Sequence, residues 1–326
     1  MNATPEIELK WSSHRIEFEK LPVYRAPIDT LDQRLVQQFL DSRKKNAEVK
    51  PKQELMRDYS LIAEEHHQFY PTHAGILLFG KEPQFYLSEA MIICCHFNGI
   101  EGREAIASLD CEGTLLNQFH QAHNFILSRL TKSFSIRGMM REEKLEIPEI
   151  AFREALLNMI IHRNYHLSSP SKIFIYDDRL EFVSPGDFFG PIKPDQLQGM
   201  TYLRNPAICK IFRELGLVEK MGTGFIQIFK SYENWGLPPP QIIEWPNFVK
   251  CILPRPYQGI LSSTKVLREE PDVLSLYHVQ AEITIHDIMK NWAVSRATAQ
   301  RWLQALVKQQ KIKRIGKTRN VRYRKA

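Results

Sequence analysis

The sequence predicts an α+β protein made of more than one unit. Short β-like runs alternate with helical apolar spacing through residues 71–258, a polar helix-leaning stretch precedes them, and basic residues concentrate at the C-terminal end. Over 326 residues the composition is 43% hydrophobic and 25% charged, which excludes disorder, collagen and coiled coil as the main state. The net charge of +7 is unevenly placed: residues 281–326 hold twelve Lys/Arg against Glu282 and Asp287, a net +10, whereas the preceding 280 residues carry 32 basic and 35 acidic side chains, a net −3. One end suits a polyanion and the rest does not.

In chain order, residues 1–70 read as a helical lead-in, with Asp29-Thr30-Leu31 opening an amphipathic stretch through Leu35 and Phe39. Residues 71–140 read as a small α/β layer. Gly75–Gly80 and Ala90–Phe97 are expected as buried strands, and Thr114–Leu130 as a helix. Within 141–258, Pro148–Asn164 is expected as a helix with proline in its first turn. Ile173–Tyr176 and Leu180–Val183 form a hairpin around Asp177-Asp178, Asn205–Leu215 and Phe225–Tyr232 are helices, and Phe248–Leu253 closes the layer as a strand. Residues 259–280 read as a linker and first helix.

In the basic segment 281–326, Ile283–Met289 predicts a short helix and Ser295 the N-cap of a second one running to Val307. Ala299, Leu303 and Leu306 form the buried stripe of that helix, leaving Arg296, Thr298, Gln300 and Arg301 elsewhere on it. Lys311–Ile315, a turn at Gly316-Lys317-Thr318, and Arg319–Arg324 read as a cationic strand-turn-strand. The arrangement resembles the winged-helix domains of bacterial regulators, whose second helix enters the major groove of double-stranded DNA. The resemblance implies DNA contacts by Ser295, Arg296, Thr298, Gln300 and Arg301 and by the wing cations Lys317, Arg319 and Arg322. A basic protein-docking module is the alternative. Gly316-Lys317-Thr318 is no phosphate-binding P-loop, because that motif needs Gly at position 311, which is Lys.

Glu154, Asn158 and His162 fall at i, i+4 and i+8 on an otherwise apolar helix. Burying such groups unpaired costs about 1–3 kcal/mol each, so either a buried polar network or a bound ion or ligand must satisfy them. A carboxamide oxygen suits Mg²⁺, and a carboxylate one turn away can orient or deprotonate a water.

The order and spacing of Phe152–Asn158, His162–Tyr165, Ser184-Pro185-Gly186, Arg204-Asn205-Pro206 and Glu219–Gly224 resemble the RecG-like group of Bergerat-fold (GHKL-type) ATP-binding regulators, with Ala74–Gly80 as a further family-like segment. The resemblance implies a Bergerat-type α/β sandwich preceded by the small α/β layer. It also implies Mg-ATP, with Asn158 on the metal and Glu154 as general base. His162, Arg163, Ser184, Gly186, Lys220, Gly222, Thr223 and Gly224 would lie around the nucleotide. Helicase motor motifs are lacking, so unwinding is not implied. The sequence departs from the Bergerat pattern at Ser184-Pro185-Gly186-Asp187, where an adenine-reading Asp usually stands before the first glycine; Asp187 is either displaced to that task or a turn acid. Many relatives begin with a Schlafen AlbA-type domain, whose activity is not transferred here and which a separate partner could supply.

Five cysteines without C-x-x-C spacing support neither a zinc ribbon nor a disulfide framework, and Cys94-Cys95-His96 reads as core packing. The N-terminus shows no signal-peptide pattern and no apolar run is long enough for a bilayer, so a cytoplasmic protein is expected; the resemblance to helix-turn-helix readers implies a two-fold homodimer. Three functions follow: an ATP-binding transcriptional regulator that contacts DNA, an ATP-hydrolysing component of a DNA-processing or defence assembly, or a degenerate nucleotide fold acting as a scaffold.

Overall fold

The structure is a computed structural model and describes residues 17–42, 50–137, 140–188, 202–218, 224–256, 282–292, 296–308, 311–316 and 321–325. Two compact units, 1–257 and 258–326, have separate hydrophobic cores.

The first unit centres on a six-stranded mixed sheet. Its strands are β3 (Ile92–Phe97), β4 (Ala105–Cys111), β7 (Ser171–Ile175), β8 (Arg179–Pro185), β9 (Gln241–Trp245) and β10 (Phe248–Pro254), in the order β4-β3-β7-β8-β10-β9. Only β3 and β7 run parallel; every other neighbouring pair is antiparallel. Strands from 71–140 and from 141–258 therefore share one sheet. The β7–β8 hairpin turns at Asp177-Asp178 as expected. Beyond β10, expected to close the layer, the sheet gains the edge strand β9.

Along β7, Ser171, Ile173 and Ile175 are buried while Lys172 and Phe174 are half-buried, so period-2 alternation gives the sheet one helix-covered face. Helices α5 (Leu115–Leu127), α6 (Glu149–His162), α7 (Pro206–Glu214) and α8 (Gly224–Asn234) contribute to the same core, α6 packing against α5, α7 and α8 and against strands β8 and β10.

Ahead of the sheet lie α1 (Gln33–Ser42), α2 (Lys52–Asp58), the hairpin β1 (Ile62–Glu65) and β2 (Gln68–Pro71), α3 (His73–Phe79) and the short α4 (Pro83–Tyr86). The hairpin sits at the end of the expected helical lead-in, with His66 and His67 at φ 51° and 63° in its turn. The expected strand Gly75–Gly80 is corrected to the helix α3. Ala74 through Phe79 are buried on every side, so the run carries no periodicity to separate helix from strand. The Thr72 hydroxyl, which accepts from Gly75 N at 2.9 Å, supplies the helix start. Strand β4 and the hairpin β5 (Lys132–Arg137) and β6 (Met140–Leu145) were not anticipated either.

Residue Glu19, fully buried, caps α7 from 188 positions away, accepting from Ala207 N at 2.7 Å and Ile208 N at 2.9 Å. Burial, outweighing those two donors, raises its pKa from 4.5 to about 7.

The second unit pairs α9 (Ile285–Trp292) and α10 (Arg296–Lys308) with a three-stranded antiparallel sheet of β11 (Glu282–Ile283), β12 (Ile312–Ile315) and β13 (Arg322–Lys325), ordered β11-β13-β12. Ala299, Leu303 and Leu306 are buried as expected, with Ile283, Ile288, Ile312 and Tyr323. The Asp287 carboxylate accepts from Thr284 N at 2.7 Å at the start of α9. Linker residues 259–280 and the Ser295 cap lie outside the described residues.

The folded Glu19 pKa lies above its unfolded value of 4.5, so its protonated form favours folding. That contribution is complete below pH 4.5 and is lost as pH rises through about 7. Denaturant titrations of the full chain at several pH values are expected to show the difference between wild type and Glu19→Gln changing across that window, by a few kcal/mol; a pH-independent difference contradicts the assignment.

Candidate nucleotide site and basic surface

Helix α6 is largely buried, with Ala151, Phe152, Ala155, Leu156, Leu157, Met159, Ile160 and Ile161 inside the core. Its C-terminal carbonyls therefore need partners inside the protein. Ser184 Oγ donates to Met159 O at 3.3 Å and Tyr165 Oη to Ile160 O at 2.8 Å. Asn205 Nδ2, itself buried, donates to Ile161 O at 2.8 Å and Arg163 O at 2.7 Å. The Arg204-Asn205-Pro206 segment thus holds the end of α6 through Asn205 and opens α7 with Pro206.

Where α6 meets the start of α8, three of the expected residues converge. A Cβ placed on Gly224 would lie 2.9 Å from Glu154 Oε2 and 3.4 Å from both Asn158 Nδ2 and Asn158 Oδ1. Gly224 therefore allows the α8 N-terminus to approach both polar side chains. Asn158 Nδ2 is buried and, among the described residues, has no hydrogen-bond partner, an orphaned group that a ligand would satisfy. Glu154, 13% exposed, pairs through Oε1 with Arg153 Nη1 at 3.0 Å, and Arg153 Nη2 donates to Leu217 O at 2.8 Å.

His162 lies one turn further along α6. Burial, with the nearby Arg204 guanidinium adding to it, pushes its pKa down to about 4, so the imidazole is neutral at pH 7. Arg163 is not brought to the site: it is buried and donates to Met91 O at 3.1 Å, Ser169 O at 2.8 Å and Glu89 O. Backbone carbonyls of the loops before β3 and β7 take up its Nη1 and Nη2 hydrogens, while its buried Nε has no hydrogen-bond partner among the described residues.

Ser184 faces α6 at the end of β8. Gly186, at φ 113°, packs where a Cβ would meet Asn164 Cβ at 2.9 Å and Arg204 Cζ at 3.3 Å. Asp187 serves the β9–β10 turn: its Oδ1 accepts from Asn247 N at 2.6 Å and its carbonyl from Arg204 Nη2 at 2.6 Å. Lys220, Gly222 and Thr223 lie outside the described residues. Cys94 and Cys111 are buried with Sγ atoms 3.8 Å apart, and among the described residues no His, Cys, Asp and Glu cluster could hold a metal.

In the second unit Gln300 is exposed on α10. Arg296, Thr298 and Arg301 are also positions of α10, and Ser295, Lys317 and Arg319 lie outside the described residues. The pairing of β12 with β13 sets Lys313 opposite Arg324 and Ile315 opposite Arg322, away from the buried Ile312 and Tyr323. Arg322 and Arg324, each 60% exposed, reach Glu282 at 3.1 and 2.6 Å, and their hydrogen bonds hold its carboxyl below the usual range. Lys313 and Arg324 extend the cationic set chosen from sequence.

Residues 169–253 match the HATPase_c_4 family, described as "Putative ATP-dependent DNA helicase recG C-terminal". Residues 274–326 match the family "Transcriptional regulator DIP2311-like, C-terminal domain". The chain thus combines a RecG C-terminal-like ATPase domain with a C-terminal domain like that of a transcriptional regulator. The first match begins after α6. The crystal structure of the DIP2311 protein from Corynebacterium diphtheriae is similar in fold, with 22% identity and a TM-score of 0.58, covering 97% of this chain and 66% of that one. The chain therefore spans about two thirds of that protein's length. No protein of curated function matches the sequence. Among the described residues, no helix is long and apolar enough to cross a membrane.

Gly224→Ala is expected to keep the fold, lower stability by about 1–3 kcal/mol and displace Glu154. Chemical denaturation measures the first effect, and loss of any nucleotide-induced thermal shift the second.

Proposed function

We propose that the α6–α8 corner binds Mg-ATP in a Bergerat-type domain and that the second unit is a winged helix that binds double-stranded DNA, making the chain an ATP-responsive transcriptional regulator. The carrying observation is the corner itself: a carboxamide whose buried Nδ2 has no partner among the described residues, a carboxylate one turn away, and a helix N-terminus brought against both by Gly224. These residues fit the group. Asn158 would hold Mg²⁺ through its carboxamide oxygen, and the backbone N–H groups opening α8 would face phosphate oxygens. The metal, when bound, supplies charge neutralisation of the polyphosphate. Glu154 would orient or deprotonate a water. His162, being neutral, would serve as a hydrogen-bonding wall and not as a counter-charge.

For DNA, the support is the +10 segment and the exposed face carrying Lys313, Arg322 and Arg324. Phosphate contacts by that face would set affinity, and α10 would read the groove through Gln300 and its neighbours. Two copies on a two-fold site would suit this class of reader. A second reading, an ATP-hydrolysing component of a DNA-processing or defence assembly, draws on the Arg153-bound carboxylate of Glu154. It predicts that biological output follows turnover and is lost in Glu154→Gln.

Calorimetric titration with Mg-ATP is expected to show one site whose affinity falls at least about tenfold in Asn158→Ala. Binding that is absent, or unchanged in the variant, removes the nucleotide half of the proposal. Separately, log affinity for duplex DNA is expected to fall linearly with log salt. Lys313→Ala and Arg322→Ala should each reduce the slope by about one, without changing sequence preference. A slope near zero in the wild type removes the DNA half.

A further inference from the structure

We propose that Arg153 is the charge-compensating and positioning residue of the α6–α8 site, holding the Glu154 carboxylate neutralised so that a polyphosphate anion can be bound beside it. This inference rests on the reading of that corner as an Mg-nucleotide site.

The geometry divides the work of one carboxylate between its two oxygens. Oε1 receives Arg153 Nη1 at 3.0 Å, and Oε2 lies 2.9 Å from the point a Gly224 Cβ would occupy, at the N-terminus of α8 where the phosphates would sit. The second Arg153 nitrogen donates to Leu217 O at 2.8 Å, just after α7, so the guanidinium is fixed by two chain segments. With 29% and 13% of their side-chain surfaces exposed, the two residues interact through a medium that screens charge poorly. A polyphosphate placed there would meet a like charge unless that carboxylate were neutralised.

Other cations of α6 and its end do not supply the compensation. His162 is held neutral by burial and the nearby Arg204, and Arg163 is committed to three backbone carbonyls. Asn158, on the same stripe, adds no charge. Among the described residues Arg153 is a cation whose position answers the need, and its fork, one nitrogen to Glu154 and one to Leu217, also fixes the direction in which Glu154 points.

A double-mutant cycle on the full chain tests this, with calorimetry of the magnesium complex of a non-hydrolysable ATP analogue and melting temperatures recorded in parallel. Arg153→Gln is expected to weaken binding roughly tenfold by leaving Glu154 uncompensated, whereas Arg153→Gln combined with Glu154→Gln should bind within about twofold of Glu154→Gln alone, because the repelling charge is gone. Arg153→Lys, which keeps the charge without the fork, should remain within about threefold of wild type. Additive losses in the double variant, or equal losses in the Lys and Gln variants, would overturn charge compensation even with nucleotide binding intact. A wild type that binds no nucleotide overturns the underlying reading of the site, a distinguishable failure.

Discussion

The satisfaction of polar groups on and around one buried helix is the constraint that organises the first unit. Helix α6 buries eight of its fourteen residues, so the backbone and side-chain polar groups on its inward side must find partners within the protein. Ser184 at the end of β8, Tyr165 in the following loop and Asn205 at the head of α7 take up the C-terminal carbonyls. Glu19 then fixes α7 from the other end of the chain. Segments far apart in sequence are thereby locked to one helix.

The Met159, Ile160 and Ile161 carbonyls at the C-terminal end of α6 find side-chain donors, whereas Asn158 Nδ2 has no partner among the described residues. That nitrogen stands one turn from a carboxylate and against a helix start, and Gly224 is the residue that allows the approach. The same economy explains why Arg163 belongs to the scaffold. Its guanidinium is the strut that ties the loops before β3 and β7 to the end of α6. Two arginines of α6 and its C-terminal end thus differ: Arg153 stays half-buried beside the carboxylate, whereas Arg163 goes inward. The net charges of the two units, near neutral and strongly positive, leave the α6–α8 corner and the basic surface as separate physical problems.

Much of this was legible in the chain. The Glu154, Asn158, His162 stripe, the hairpin about Asp177-Asp178, the buried Ala299, Leu303 and Leu306, and the basic tail all follow from period and charge. Other features were not legible. Ala74–Phe79 has no polar positions to report a period, so its helical state depended on the Thr72 cap and on packing against Leu61. Strand β4 is exposed along most of its length, so its residues lack the buried alternation by which strands are recognised. The roles of Asn205 and Glu19 depend on partners 42 to 189 positions away, beyond the reach of any local pattern.

The sequence by itself determined which residues could do chemistry: local spacing places three polar groups on one helix stripe, and composition places the cations at one end. Only the tertiary structure decided which of them face a common point. Glu154, Asn158 and Gly224 meet because α6 and α8 cross there, whereas Arg163, adjacent in sequence to His162, is drawn into the interior. The reason is energetic. A buried charge or amide goes where its hydrogen bonds can be completed, and those partners are fixed by the packing of distant segments, not by neighbours along the chain.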